Sequence, residues 1–287
     1  MKFFDFFSGI GGFRLGMEMA GHECVGHCEI DKYADMSYRA MHDIKESEVF
    51  FSDIRTVDPS DMPEADCYCF GFPCQAFSIS GIRRGLDDTR GTLFFEVMRI
   101  AKERKPSILY AENVAGLLNH DGGATFTIIL SALAELGYAV EWQVLNSRCF
   151  GVPQNRERVF IIGRYGNGSE PKVFPIQTED SGVGVLQIAK LKDKNRDNPN
   201  RFRVYDPSGI APCLTTMDGG GREPYVLVDG KVRKLTPREC FRLQGFPDDY
   251  FDRAASVCSD SQLYKQAGNS VTVNVVYEIA KRLESKE

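Results

Sequence analysis

The sequence predicts an α/β fold: a mostly parallel sheet with helices on both faces, followed by a smaller, irregular second domain. Three observations carry this. Short apolar runs alternate with helical patterns as far as Arg164. Gly21 and Gly137 stand where helix-ending glycines belong. Beyond Arg164 the periodicity breaks, Gly and Pro become frequent, and basic residues come into local excess.

In chain order, the apolar runs at 3–7, 24–29, 65–70, 107–112, 139–145 and 158–163 read as strands, and helical spacing covers 12–20, 32–41, 93–105 and 124–136. The first run is short and interrupted by Asp5, so it reads as a buried strand rather than an export signal. The stretch 165–171, Tyr-Gly-Asn-Gly-Ser-Glu-Pro, is a turn-rich boundary. Val271, Val275, Ile279 and Ala280 then recur at helical spacing, which brings the chain back onto the first domain. The expected division is 1–172, completed by 262–287, around a small domain at 173–261.

A hydrophobic fraction of 43% in 287 residues is ordinary for a soluble chain, and no run approaches the roughly 20 apolar residues of a membrane span. Nine cysteines, without disulfide-like spacing or an export signal, point to reduced thiols in the cytoplasm. His22, Cys24, His27 and Cys28 lack the paired spacing of a zinc site and read as core, as do Cys67 and Cys69; no metal is expected. A net charge of −5 argues against nucleic acid. Yet 190–242 holds twelve Lys/Arg against seven Asp/Glu, a balance of +5 that leaves −10 elsewhere. A basic module on an acidic body can bind phosphates locally.

The chemistry is concentrated at predicted strand ends. The first strand runs into Phe7-Ser-Gly9-Ile10-Gly11-Gly12, where glycines allow close approach of a ligand to the backbone. Glu29 ends the second strand, placed to accept from ribose hydroxyls, and Asp53-Ile54 precedes the third, where Asp53 can accept from an adenine amino group. These features fit a dinucleotide or S-adenosylmethionine equally. The third strand leads into Gly71-Phe-Pro73-Cys74-Gln75, a cysteine at the strand edge where open α/β sheets bind ligands. Glu112-Asn113-Val114 ends the next strand, and Gln154-Asn-Arg156-Glu-Arg158 brings arginines to the same edge.

With these motifs in this order, the chain resembles the bacterial DNA (cytosine-5) methyltransferase family from Phe3 to about Val276. Arg238-Glu-Cys-Phe-Arg-Leu-Gln-Gly-Phe-Pro247 and Gln266-Ala-Gly-Asn269-Ser270-Val271 complete the series. The resemblance implies an S-adenosylmethionine-dependent, Rossmann-like methyltransferase fold with a small target-recognition domain. It implies a cofactor site at Phe7, Gly9, Ile10, Gly11, Gly12, Glu29, Ile30, Asp53, Ile54, Pro73, Leu93, Asn269 and Ser270. It assigns covalent attack on a flipped-out cytosine to Cys74, with Pro73, Gln75, Glu112, Arg156 and Arg158 around it.

The loop 75–90 resembles the family's mobile catalytic loop, with Ser78, Ser80, Arg83, Arg84 and Arg90 suited to phosphates and Gly81, Gly85 and Gly91 as hinges. Arg196, Arg201, Arg203 and Arg222 are candidates for DNA contact in the second domain. The implied partner is double-stranded DNA, bound by a monomer; a cognate restriction endonuclease is compatible with the resemblance but not required. Where the family often has Thr-Leu, this chain has Cys213-Leu214, so either the alignment slips or a phosphate contact is altered. Ser52 likewise stands where glycine often precedes the Asp. Three rivals are a tRNA methyltransferase of the same fold, a nicotinamide-dependent oxidoreductase and an inactive DNA-binding module. The second domain and the Pro-Cys-Gln form disfavour the first, and Cys74 with Glu112 disfavours the other two.

Overall fold

The computed structural model describes residues 1–72, 93–166, 172–179, 182–191, 201–217 and 222–283. Its main sheet has seven strands: β1 (Lys2–Phe6), β2 (Glu23–Cys28), β3 (Val49–Phe51), β4 (Cys67–Gly71), β5 (Ile108–Val114), β6 (Tyr138–Asn146) and β7 (Glu157–Tyr165). They lie in the order β3-β2-β1-β4-β5-β7-β6. Pairing is parallel from β3 through β5, while β7 runs antiparallel to both of its neighbours.

β1 shows why a nearly continuous apolar run marks a central strand. Phe4 and Phe6 enter one core with Phe70, Phe72 and Phe94, while Phe3 enters another with Phe13, Met17 and Val276. Both faces are covered, so alternation with polar residues disappears. On one face lie α3 (Leu93–Arg104) and α4 (Ala124–Glu135), with Met98 and Ile129 in the first core. On the other, α1 (Gly12–Met19) meets α8 (Val273–Ala280). A Cβ on Gly16 would come within 2.6 Å of Val276, so glycine sets that close approach. α2 (Lys32–Met41) starts on Asp31, whose side chain accepts from the amides of Tyr33 and Ala34.

A second, four-stranded sheet is formed by β8 (Gln187–Lys190), β9 (Arg203–Tyr205), β10 (Tyr225–Val228) and β11 (Lys231–Lys234), in the order β11-β10-β9-β8. Three short helices follow: α5 (Pro237–Leu243), α6 (Asp248–Ala255) and α7 (Asp260–Asn269). α5 opens with a capping box between Thr236 and Glu239 and with Pro237 in its first turn. A third core joins Phe241, Phe246 and Leu263 of this region to Ile10, Leu15 and Met41.

The parallel sheet, its covering helices and the return helix match the expectation, with strand ends shifted by a residue or two. β3 was not expected: three residues are too few to show a period. α5, α6 and α7 are hidden in sequence because few of their buried positions are strongly apolar: α6 buries Phe251 and Ala254, and α7 buries Leu263 with Gln266, Ala267 and Gly268. Among the described residues no helix is long and apolar enough to cross a membrane.

Candidate active site

The strand order reverses between β1 and β4, so the carboxyl ends of β1, β2, β4 and β5 border one crevice. A cavity of about 240 Å³ there is lined by Phe7, Glu29, Ile30, Asp53, Ile54 and Leu93. Cys28, expected in the core, and Ser52, expected only as a departure from the family motif, line it too, together with Arg55. Only their neighbourhood to Glu29 and Asp53 could have drawn attention to them.

The turn after β1 gives its glycines separate tasks. Gly9 has φ +55° and its Cβ direction meets no atom of the described residues within 4 Å, which suits close approach of a ligand to its backbone. Gly11, at φ +80°, would place a Cβ 2.1 Å from the His42 Nε2, and Gly12 would meet the Val271 carbonyl at 2.7 Å. Ile10 is buried in the third core, and its carbonyl lies 3.1 Å from the His42 ring. Packing thus fixes Ile10, Gly11 and Gly12 in this turn. Ser270 is buried beside Gly12, while Asn269, its neighbour at the end of α7, is exposed.

Glu29 is fixed from two sides: the Gly9 amide donates to one carboxylate oxygen and the Asp31 amide to the other, each at 2.7 Å. Burial raises its pKa above the usual carboxylate range, and the two amides oppose that. Each oxygen keeps a second lone pair, which suits a vicinal diol. Asp53 caps the short helix after it and grips Arg55 through both oxygens, at 2.9 and 2.6 Å. That ion pair holds its carboxyl below the usual range.

Glu112 lies one strand over, on β5, opposite Gly71 of β4. Its Oε1 is 3.0 Å from the Arg158 Nε, and both side chains are about seven-eighths buried. Burial raises the Glu112 pKa, while Arg158 and then Arg156 pull it down. Asn113, fully buried, donates from Nδ2 to the Phe72 carbonyl at 2.8 Å and thereby ties β5 to the chain just before Pro73. Pro73, Cys74, Gln75, Ser78, Ser80, Arg83, Arg84 and Arg90, with Gly81, Gly85 and Gly91, lie outside the described residues.

Arg156 differs from its expected catalytic placement. It is 3% exposed and donates to the carbonyls of Leu214, Gly268 and Ser270 at 3.1, 3.2 and 2.7 Å. Burial, then Arg158, lowers its pKa to about 10. Bonds to three carbonyls make this guanidinium a tie between chain segments, while its buried Nε has no hydrogen-bond partner among the described residues. Cys213, exposed, approaches Arg156 and Arg158 at 3.6 and 3.8 Å.

Arg203 lies on β9, paired across to Lys190 of β8. Arg201 just precedes that strand and Arg222 is exposed ahead of β10; Arg196 lies outside the described residues. His22, Cys24, His27 and Cys28 are buried around β2, His27 bonding Asp35 at 2.9 Å. Among the described residues no group of three or more His, Cys, Asp or Glu could hold a metal ion.

The sheet, with one antiparallel strand and a crevice at its carboxyl edge, is that of a methyltransferase. The Dnmt2 methyltransferase of S. pombe superimposes with a TM-score of 0.76 at 21% identity over 98% of this chain and 97% of that one. A DNMT2 of Spodoptera frugiperda gives 0.73 at 22% identity, covering 98% and 99%. The chain belongs to the C-5 cytosine-specific DNA methylase family, whose model matches residues 1–200 and 185–285. It is 38% identical to the Type II methyltransferase M.HhaI of Haemophilus parahaemolyticus, over 99% of this chain and 94% of the relative. It is also 40% identical to M.NgoBI of Neisseria gonorrhoeae, over 96% and 90%.

Proposed function

We propose that this enzyme, a DNA cytosine-5 methyltransferase, works through the thiol of Cys74 with S-adenosylmethionine as methyl donor. The observation that carries the reading is the Glu112–Arg158 pair, held at the crevice edge beside the strand that leads into Pro73-Cys74-Gln75.

C5 of cytosine is a poor nucleophile, and attack of the Cys74 thiolate on C6 activates it. Glu112 hydrogen-bonds the N3 edge and amino group of the base, and Arg158 neutralises the charge that develops there. The bound donor supplies an electrophilic methyl group for C5. A base, for which water would serve, takes the C5 proton; the C5–H electron pair re-forms the C5–C6 double bond, and the S–C6 bond breaks to release the Cys74 thiolate. The target base must leave the helix for this, at a cost of roughly a few kcal/mol.

The cavity beside Glu29 suits the donor's nucleoside. Glu29 takes the ribose hydroxyls, Asp53 the adenine amino group, and Phe7, Ile30, Ile54 and Leu93 supply apolar surface. Gly9 gives close backbone approach, and Asn269, Ser270 and Pro73 border the methionine end. Double-stranded DNA is the partner, engaged by 173–261, with Ser78, Ser80, Arg83, Arg84, Arg90, Arg201, Arg203 and Arg222 as contacts, by a monomer in the cytoplasm.

Bisulfite sequencing of unmethylated plasmid, after incubation with the protein and S-adenosylmethionine, tests this. Cytosines should be protected in one short motif, and Cys74→Ser should abolish protection while still binding DNA and cofactor. Turnover of the serine variant near the normal rate would refute the covalent route. Absence of protection by folded, cofactor-bound protein would redirect the search to tRNA.

A further inference from the structure

We propose that Cys213 is a positioning residue for methyl transfer, holding the Arg158 guanidinium on Glu112 from outside the main sheet. The proposal rests on the function just given and adds to it a residue that acts through Arg158.

Among the described residues, three groups meet the Arg158 guanidinium. Nη1 donates to the carbonyl of Glu157, its own neighbour, at 2.7 Å, and Nε meets Glu112 at 3.0 Å. Nη2 points to the Cys213 sulfur at 3.8 Å. The first two partners belong to β7 and β5, and among the described residues the thiol is the one that reaches Arg158 from outside the main sheet. The same sulfur lies 3.6 Å from the Arg156 Nη1, and the thiol donates to the Leu214 carbonyl at 3.5 Å.

The segment that carries the thiol is fixed. Arg156 bonds the Leu214 carbonyl, Gln154 accepts from the Leu214 amide at 3.0 Å, and a Cβ on Gly268 would overlap the Thr215 carbonyl at 1.8 Å. Cys213 is therefore a stationary acceptor. It stops Arg158 from swinging toward solvent, and it joins the catalytic carboxylate to the chain between β9 and β10. Sulfur is a weak acceptor, so the effect is that of one modest hydrogen bond.

Cys213→Ala and Cys213→Ser should be compared with the wild type in single-turnover and steady-state methylation of its DNA site. The alanine variant should lose about three- to tenfold in kcat with KM for S-adenosylmethionine unchanged. The serine variant, whose hydroxyl accepts from the same guanidinium, should recover most of that loss. Wild-type kcat in Cys213→Ala, or an equal loss in both variants, would overturn the proposal. Thermal unfolding of Cys213→Ala, Glu112→Gln and the double variant gives a readout independent of activity. The two effects should be non-additive, because they meet at Arg158, and strict additivity would also overturn the link. A wild type that methylates no DNA would sink the function, while the unfolding cycle would still decide the role of Cys213.

Discussion

Arg158 and Glu112 face each other diagonally across the β5–β7 pair, with Nε and Oε1 3.0 Å apart. Removing one partner leaves the other charged and largely dehydrated. Arg158→Met should therefore cost about 2–4 kcal/mol at neutral pH, somewhat less than a fully buried pair because both groups retain some exposure. Burial already raises the Glu112 pKa, and losing Arg158 raises it further. A raised carboxyl contributes stability below its unfolded pKa and loses that contribution as pH rises through the folded value. The deficit of Arg158→Met should thus be small near pH 4, about the unfolded pKa of a glutamate, and grow toward pH 8. Urea unfolding across that range checks it; a deficit independent of pH would mean that Glu112 is not the group left unpaired.

The glycines after β1 separate folding from ligand approach. Gly11→Ala faces both a positive φ and a Cβ 2.1 Å from a buried ring nitrogen. It should destabilise the fold by about 3 kcal/mol or more. Gly9→Ala meets nothing within 4 Å among the described residues and bears the conformational strain of φ +55°, about 1 kcal/mol. Thermal unfolding should distinguish them sharply, while calorimetry with S-adenosylmethionine should show Gly9→Ala binding more weakly. Full affinity in Gly9→Ala would place the ligand elsewhere.

Sequence could not make that distinction. The Gly9-Ile10-Gly11-Gly12 turn was legible as a feature, but His42 and Val271, which decide what two of the glycines do, lie far away in the chain. Glu29 and Glu112 were legible because each lies at the carboxyl end of a strand, and the parallel order gathers such ends at one edge; Asp53 reaches that edge by following β3, a strand too short to read from sequence. Arg156 and Arg158 are indistinguishable in sequence, two residues apart at the start of β7. Only the third dimension shows that one enters a cage of carbonyls and the other meets a carboxylate. The second sheet was read as irregular because its strands are three or four residues long and two of them are exposed throughout.

Glu29→Gln keeps the shape of the side chain but removes the charge and one acceptor oxygen. The backbone amides of Gly9 and Asp31 would then share an oxygen and an NH₂ group, so one is left without an acceptor. Affinity for S-adenosylmethionine should fall by about tenfold or more, the scale of one hydrogen bond to a charged group. The melting temperature should move little, because burial already opposes the charge. Isothermal calorimetry beside a melting curve checks both halves, and unchanged affinity would count against the ribose assignment.

His42 supplies a pH dependence of a different sign. Burial, with Arg14 adding to it, lowers its pKa to about 3, so the folded protein keeps the imidazole neutral against the Ile10 carbonyl. In the unfolded chain the group titrates near 6.5. Its contribution to stability is complete above that value and is lost as pH falls from about 6.5 toward 3, at roughly 1.4 kcal/mol per unit once the unfolded imidazole is charged. The buried Glu29 and Glu112 carboxyls act in the opposite direction, so the wild-type curve alone is a sum. The measurement is therefore a difference between wild type and His42→Gln. The variant should be less stable at pH 7, where its amide fits the pocket less well, and the gap should narrow steadily as the pH is lowered to 4.5. A gap that stays constant would show that the imidazole does not stay neutral in the folded state.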